Sequence, residues 1–345
     1  MMRTMPASRS LLPILAVALF SCRVQAADPD APPATPSLEE RVKTCSAITD
    51  AGQRLGCFDA LGGDRRTVAI ATETPPEEPA VPSRISRRWE LEDMTQRGRF
   101  ALVVHRPNYV LPVTWNNSPD LHYVPVDDPN IQKTEAKFQL SIKVKLWQDI
   151  IANNGDLWAT YTQQVYWQAY GRSAPIRETD YEPTLLLSFH TSANLLGLDL
   201  RMLGVELDHQ SNGRGDLDGL SRSWNRVIGQ AVFEHGAFAA QARVWWRIPE
   251  PSASDNNPDI QDYLGKGDLL LSYALGNNTL SAQLRGAVLS SKPHAGTELT
   301  WSFPLGSAKT LRGYLQYYNG YGESLIDYNV RSNRIGVGFA FADWY

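Results

Sequence analysis

The part of the chain that follows residue 99 is a succession of segments in which apolar and polar residues alternate. Turn-rich breaks separate these segments, of which there are about twelve. In one segment the apolar residues are Phe138, Leu140, Ile142, Val144 and Leu146, and the polar residues between them are Gln139, Ser141, Lys143 and Lys145. Similar alternation recurs at 240–248 and 280–288. Because successive side chains of a strand point to opposite faces, the pattern predicts strands with one apolar and one polar face.

A soluble β-sandwich and a transmembrane β-barrel both alternate in this way, and three further features favour the barrel. The segments run for about 10–13 residues, which suits a tilted crossing of a bilayer. The chain contains 10 Trp and 14 Tyr, many of them near segment ends, as in the aromatic girdles of membrane barrels. The last segment, 334–345, alternates and ends in the aromatic Tyr345. The sequence therefore predicts an all-β fold, a twelve-stranded antiparallel transmembrane β-barrel.

The N-terminal residues predict an exported protein. Arg3 and Arg9 precede an apolar run at 11–20, and a small residue, Ala26, follows at a suitable distance, so 1–26 reads as a signal peptide. Only Cys45 and Cys57 then remain in the mature chain. An even pair in an exported protein favours a disulfide over a reactive or metal-binding pair.

Between the signal peptide and the barrel, the sequence predicts two further regions. Residues 27–65 contain a capping box that starts at Ser37 and a second helix start at Asp50, which together predict a short helical hairpin stapled by the disulfide. Residues 66–95 begin with a stretch rich in Pro and Glu that lacks apolar periodicity, and we interpret them as a linker. The barrel domain is assigned to 96–345.

Charge and composition narrow the choice of partner. The chain has 345 residues, and its 33 basic and 37 acidic residues give a net charge of -4. This balance provides no broad positive field for a phosphate backbone, so nucleic acid is not an expected partner.

On the outward face of one predicted strand, polar residues that could act in catalysis follow the apolar ones. In the segment 203–211 the outward phase continues to His209 and Ser211, and the next strand begins its outward phase with Asn225. Ser, His and Asn side chains on one face can form a nucleophile, a base and an orienting group for ester hydrolysis. The alternative is that these are ordinary polar residues at a strand end, where the chain enters a loop of turn-forming residues.

Longer strings around these residues resemble the active-site signature of the outer-membrane phospholipase A family. They lie at 209–214 (HQSNGR), 221–226 (SRSWNR), 177–183 (RETDYEP), 257–260 (NPDI) and 321–329 (YGESLIDYN). The resemblance extends over about 100–345 and leaves the N-terminal hairpin unexplained.

The resemblance implies a twelve-stranded barrel in the bacterial outer membrane that hydrolyses sn-1 and sn-2 acyl esters of phospholipids and lysophospholipids. It implies that Ser211 is the nucleophile, His209 the base and Asn225 the orienting residue, and that the backbone amide of Gly213 contributes to the oxyanion hole. With the C-terminus in the periplasm, strand parity turns this site towards the outer leaflet.

The resemblance also implies a calcium ion and a homodimer. Its calcium ligands map onto Arg214, Ser221 and Ser173, the last from the other protomer, and Asn256 stands where the family has an Asp. Gln163 corresponds to a polar residue in the dimer interface. Two alternatives to this enzyme are a non-catalytic pore or structural barrel, and a soluble secreted β-sheet lipase.

Overall fold

The protein is described by a computed structural model that covers residues 36–61, 81–117, 131–215, 219–286, 292, 294–306 and 310–344. The chain divides into an N-terminal unit that ends at Pro79 and a C-terminal unit that begins at Ala80. The predicted signal peptide, 1–26, lies outside the described residues, as does the part of the predicted linker before residue 81. No helix in the described ranges is long and apolar enough to cross a membrane.

The N-terminal unit contains two helices joined by a disulfide. Helix α1 (Leu38–Ser46) begins at Ser37, whose hydroxyl and whose partner Glu40 form the predicted capping box. Helix α2 is Ala51–Leu61, and the Asp50 carboxylate caps it by accepting from the backbone N–H of Gln53 at 2.9 Å. The predicted bond between Cys45 and Cys57 is present.

The C-terminal unit consists mainly of antiparallel strands. Their bounds are β1 Leu102–Val104, β2 Asn108–Asn116, β3 Thr134–Trp147, β4 Asp156–Trp167, β5 Ile176–Leu195, β6 Leu198–Ser211, β7 Ser223–His235, β8 Phe238–Arg247, β9 Gly267–Leu275, β10 Asn278–Arg285, β11 Gly296–Pro304, β12 Arg312–Gly320 and β13 Ser332–Ala342. Its helices are α3 Arg84–Trp89 and α4 Ile260–Leu264, with a 3₁₀ turn at Asp93–Thr95.

Strands β2 to β13 close into a twelve-stranded barrel, as the sequence predicted. Each strand from β3 to β12 pairs with the next, and β2 closes the ring by pairing with both β13 and β3. Strand β1 pairs with β3 at Ile142–Val144, beyond the stretch that pairs with β2. The short β1 therefore continues the position of β2 in the barrel and is not a thirteenth barrel strand.

The outer surface is apolar and the interior is polar and filled. On β6, Leu203, Val205 and Leu207 are 45%, 52% and 54% exposed, whereas Glu206 and Asp208 at alternate positions are 4% and 1% exposed. Many of the inward charges are paired, for example Lys137 with Glu323 at 3.2 Å, Arg226 with Asp208 at 2.7 Å and Arg243 with Asp268 at 2.5 Å. Pairing satisfies charges that would be costly to bury alone.

The two ends of the barrel differ in their connections. At one end, the short-turn end, the hairpins β5–β6, β7–β8 and β9–β10 have loops of two residues each, at 196–197, 236–237 and 276–277. At the other, the long-loop end, β6 and β7 are joined by 212–222 and β8 and β9 by 248–266. Outer-membrane barrels have short periplasmic turns and longer extracellular loops, which assigns the long-loop end to the extracellular side.

The structure differs from the sequence prediction in the last part of the predicted linker, 66–95. Residues 84–89 form helix α3, in which Ile85 and Trp89 are buried against the inward-facing Trp158 and Met202 of the barrel. Glu90, which follows the helix, forms an ion pair with Lys145 at 3.1 Å. This segment is an inner plug of the barrel, and it is ordered because its apolar and charged side chains find partners on the barrel wall.

Candidate active site

Strand register brings His209 and Asn225 together at the long-loop end. The two residues lie directly opposite each other on β6 and β7, and their side chains meet with 2.8 Å between His209 Nδ1 and Asn225 Oδ1. His209 continues the outward series of β6 and is exposed. The imidazole therefore stands on the outer, apolar face of the barrel.

Glu250, which the sequence analysis did not identify, orients Asn225. The Asn225 amide nitrogen donates to Glu250 Oε1 at 3.2 Å, which leaves the amide oxygen to accept from His209. The hydrogen-bond pattern thus assigns the proton of a neutral imidazole to Nδ1 and the lone pair to Nε2. Glu250 lies in the loop after β8, outside any alternating pattern, so periodicity gave no signal for it.

Ser211 is the last residue of β6, two positions after His209. Residues i and i+2 of a strand share a face at about 7 Å along the chain. Within the described residues, no hydrogen bond joins Ser211 to His209. Catalytic hydrogen bonds are often long in a resting site and shorten when substrate binds.

Gly213 begins the loop after Ser211 in a conformation that needs glycine. Its φ is +65°, and a Cβ there would lie 2.8 Å from the ring of Tyr181. A side chain would meet both a left-handed backbone and an aromatic ring, so the residue type is fixed by local geometry. The backbone N–H of Gly213 lies two residues from the Ser211 hydroxyl.

The loop between β6 and β7 is held by Asn212, a second residue that the sequence analysis missed. Its buried side chain donates to the carbonyl of Leu220 at 2.9 Å and accepts from the backbone N–H of Arg222 at 3.0 Å. One amide therefore joins the two ends of the described part of this loop and restrains Gly213 beside it.

Two of the four predicted calcium ligands are in direct contact. The amide nitrogen of Asn256 donates to Ser221 Oγ at 3.0 Å, and its oxygen accepts from the backbone N–H of Ser223 at 3.2 Å. The neighbouring Asp255 carboxylate is paired with Arg247 at 2.6 Å. The charge of Asp255 is thereby compensated by an arginine.

The other two predicted ligands lie in separate loops at the same end. The side chain of Arg214 is anchored on Glu178 Oε2 at 3.2 Å and also donates to the carbonyl of Arg177. Ser173 is exposed in the turn between β4 and β5. In the described part of the chain, no hydrogen bond joins it to Arg214, Ser221 or Asn256. Their hydroxyl, amide and carbonyl oxygens fit a hard cation.

Gln163, predicted for a dimer interface, lies on β4 opposite Leu140 of β3 and Tyr181 of β5. Its side-chain oxygen accepts from the Tyr161 hydroxyl at 3.0 Å, and the residue is half-buried. One polar group of the amide is thus satisfied within the chain, and its nitrogen is left to donate elsewhere.

The arrangement suits acyl transfer. A base with its free nitrogen defined, a hydroxyl on the same face and a constrained backbone amide are the parts that attack on an ester carbonyl requires. They lie next to exposed apolar residues such as Leu207 and Val227, so the ester would have to come from an amphiphile.

Comparisons of the sequence and of the structure with known proteins indicate the same family. The model of the family "Phospholipase A1" matches residues 85–341. The phospholipase A1 of Klebsiella pneumoniae is 39% identical over 250 residues, which cover 71% of this chain and 84% of that protein. The structure of outer membrane phospholipase A from Escherichia coli aligns with a TM-score of 0.66 and 37% identity, covering 71% of this chain and all of that one. A calcium-bound dimer of the Salmonella typhi outer membrane phospholipase aligns with a TM-score of 0.67 and 36% identity, covering 74% and 96% of the two chains.

Proposed function

The chain belongs to the phospholipase A1 family, and we propose that it hydrolyses sn-1 and sn-2 acyl esters of phospholipids and lysophospholipids through Ser211, His209 and Asn225. It is a phospholipase of the bacterial outer membrane. The 2.8 Å contact between His209 and Asn225 carries the proposal for the three residues, because it supports the tautomer that a general base requires.

The reaction proceeds in two halves. Ser211 Oγ attacks the ester carbonyl while His209 Nε2 removes the hydroxyl proton, and the N–H of Gly213 donates to the oxygen that becomes negative. The imidazolium then protonates the leaving alcohol as the ester bond breaks, which leaves an acyl group on Ser211. In the second half His209 removes a proton from water, water attacks the acyl carbon, and the fatty acid leaves as Ser211 regains its proton.

The position of the three residues on the barrel supports a phospholipid substrate. They lie on the outer face at the long-loop end, where the side chains below them are apolar and exposed. A phospholipid in the outer leaflet would have its ester groups near this depth and its acyl chains along β6 and β7. The site therefore faces lipid that has reached the outer leaflet.

Calcium is the second part of the proposal. The carbonyl of Arg214, the hydroxyl of Ser221 and the amide oxygen of Asn256 would hold it, with Ser173 supplied by a second protomer. Bound calcium would place positive charge near the oxyanion. For Asn256 to contribute, its amide must rotate, because its nitrogen now points to Ser221. A ligand shared between two chains makes calcium binding and dimerisation mutually reinforcing.

Gln163 supports the homodimer. It lies on the outward-facing side of β4, where a polar group has few partners other than a second protein surface. Its amide nitrogen can donate to the same residue of a partner.

The filled interior argues against the alternative of a pore. Buried ion pairs occupy the interior, and α3 packs against the inner wall at the short-turn end. The cavity inside the barrel that Tyr109, Glu182 and Tyr318 line has a volume of only about 80 Å³.

Fatty-acid release by the refolded full chain in neutral detergent micelles tests the proposal. We expect release with calcium, a fall of at least about 10³-fold in a Ser211→Ala variant, and near-complete loss when a chelator replaces calcium. Cross-linking of the same samples should show more dimer with calcium than with chelator. Calcium-independent release, or release that survives Ser211→Ala, would refute the proposal.

A further inference from the structure

A large open cavity lies at the short-turn end, at the opposite end of the barrel from His209 and Ser211. Its volume is about 990 Å³, at the upper limit of typical ligand pockets. It is bounded by α3, by β1, by the β9–β10 turn and by the end of β13. Neither the proposed catalytic residues nor the proposed calcium ligands line it.

The cavity is strongly basic. Five arginines line it, at positions 84, 87, 88, 97 and 312, and Asp343 is the one carboxylate among the described lining residues. Asp343 is paired with Arg312 at 3.1 Å. The cavity therefore keeps a net positive charge after this pair is subtracted.

Two of these arginines are held in place by neutral groups. Arg84 donates to the carbonyl of Gly276 at 3.4 Å, and Arg87 donates to the carbonyl of Pro82 at 2.5 Å. Backbone carbonyls position a guanidinium without cancelling its charge, and each guanidinium has five N–H donors. Both side chains can therefore still bind an anion such as a phosphate.

Part of the cavity lining is apolar. Leu102 and Phe341 line the cavity and are 68% and 62% exposed. Both belong to the rim of the barrel's outer surface, which the bilayer covers. A ligand that contacts both the arginines and these apolar side chains would need an anionic group and a hydrocarbon chain.

A free strand edge borders the cavity. Strand β13 ends at Ala342, paired with Asn108 of β2, whereas β1 continues beyond that point and is paired on its β3 side alone within the described residues. Alternate residues of an antiparallel strand direct their N–H and C=O groups to opposite edges. The outer edge of β1 thus offers backbone groups at membrane depth, where unpaired polar groups are costly.

We propose that this cavity is a binding site for an anionic phospholipid of the periplasmic leaflet. The phosphate and any further anionic group would bind Arg84 and Arg87, the headgroup would also meet the free edge of β1, and an acyl chain would lie against Leu102 and Phe341. The lipid would cover the gap that β13 leaves beside β1.

A lipid bound here is a ligand and not a substrate. The apolar band of an outer-membrane barrel is about 25 Å tall, so the ester groups of a periplasmic-leaflet lipid are far from Ser211. The proposal therefore does not depend on the proposed catalytic residues and can be tested in a variant that lacks Ser211.

Native mass spectrometry of the full-length Ser211→Ala protein in neutral detergent provides the test. The probes are phosphatidylglycerol, phosphatidylcholine and inorganic phosphate, each titrated without calcium. We expect one phosphatidylglycerol per chain, weaker binding of phosphatidylcholine, and no retained inorganic phosphate. A surface arginine contributes about fivefold to binding of anionic lipid, so Arg84→Gln with Arg87→Gln should weaken phosphatidylglycerol binding about 25-fold.

Arg99→Gln is the matched control, because Arg99 is exposed and precedes β1 without lining the cavity. In a protein that keeps Ser211, the double variant Arg84→Gln with Arg87→Gln should hydrolyse phospholipid normally. Normal hydrolysis would show that the barrel is folded. Equal loss of phosphatidylglycerol binding in the control and the double variant would overturn the proposal. Inorganic phosphate that bound as well as phosphatidylglycerol would also overturn it, because the ligand would then be a free anion. Association of two chains that the double variant abolishes would also overturn it, because the edge of β1 would then take a protein strand.

Discussion

The chemistry proposed for this enzyme depends on the orientation of one imidazole ring. His209 donates to Asn225, and Asn225 in turn donates to the Glu250 carboxylate at 3.2 Å. A hydrogen bond to a charged group contributes about 1.5 kcal/mol, which corresponds to about tenfold in rate. We expect Glu250→Ala to lower kcat about tenfold with little change in KM, measured as fatty-acid release under calcium saturation.

Two variants distinguish positioning by Glu250 from a general structural role. Glu250→Gln keeps an acceptor oxygen and should retain most of the activity. Adding Glu250→Ala to Asn225→Ala should cause little further loss, because the carboxylate acts through the amide. Additive losses in the double variant would contradict this role.

Asn256 affects calcium affinity through charge. A neutral amide here, beside an Asp255 that is paired with Arg247, leaves the proposed site with few formal negative charges, and calcium affinity rises with ligand charge. We expect Asn256→Asp to lower the calcium concentration for half-maximal activity about tenfold. Asn194→Asp, which adds the same charge in the β5–β6 turn region, should leave it unchanged. An unchanged or raised requirement in Asn256→Asp would exclude residue 256 as a ligand.

The sequence was sufficient to predict which residues of the candidate site share the outer face of the barrel, because strand geometry is regular. The two-residue spacing of His209 and Ser211 predicts a shared face, and the position of Asn225 early in the next strand predicts the cross-strand neighbour. Glu250 and Asn212 could not be predicted in this way. They act from loops, whose conformations depend on tertiary contacts and have no fixed period.

At the scale of the strand, the apolar outer face of β6 makes a prediction about membrane insertion. Val205 is 52% exposed near the middle of the strand, and an arginine on the lipid face at the bilayer midplane costs about 2–4 kcal/mol. We expect Val205→Arg to lower the free energy of unfolding by this amount in lipid vesicles, measured by denaturant titration.

The control for this measurement is Leu195→Arg, at the short-turn end of β5 and 50% exposed. Near the membrane interface the same charge costs about 0–1 kcal/mol. If both substitutions had the same effect, the outer face of β6 would not be in contact with hydrocarbon.

Helix α3 illustrates what alternation cannot reveal. Its sequence, RISRRW, follows a stretch rich in Pro and Glu and is too short for a helical period to be recognised. It is buried because Ile85 and Trp89 reach Trp158 and Met202, and because Lys143 Nζ lies 3.4 Å from the centre of the Trp89 ring. These partners are more than fifty residues away in sequence, so local pattern alone predicted a linker.

On the scale of the whole molecule, the barrel has two functionally distinct ends. The long-loop end carries the proposed catalytic and calcium residues, and the short-turn end carries the plug and the basic cavity. Alternation predicts the number of barrel strands. It also predicts the closure of the sheet, because unpaired backbone groups are costly in hydrocarbon. The gap beside β1 arises because β1 and β2 together occupy one strand position of the barrel. Only the strand register in the structure reveals it.

The central claim is that Ser211 is the nucleophile of a lipid hydrolase on the outer face of the barrel. The most direct test is to label the refolded protein with a long-chain alkyl fluorophosphonate in the presence of calcium and to map the modified residue by digestion and mass spectrometry. The account predicts one label, on Ser211, that is lost in a His209→Ala variant and that abolishes fatty-acid release. A label on another serine, or full hydrolysis by protein that is labelled on Ser211, would contradict it.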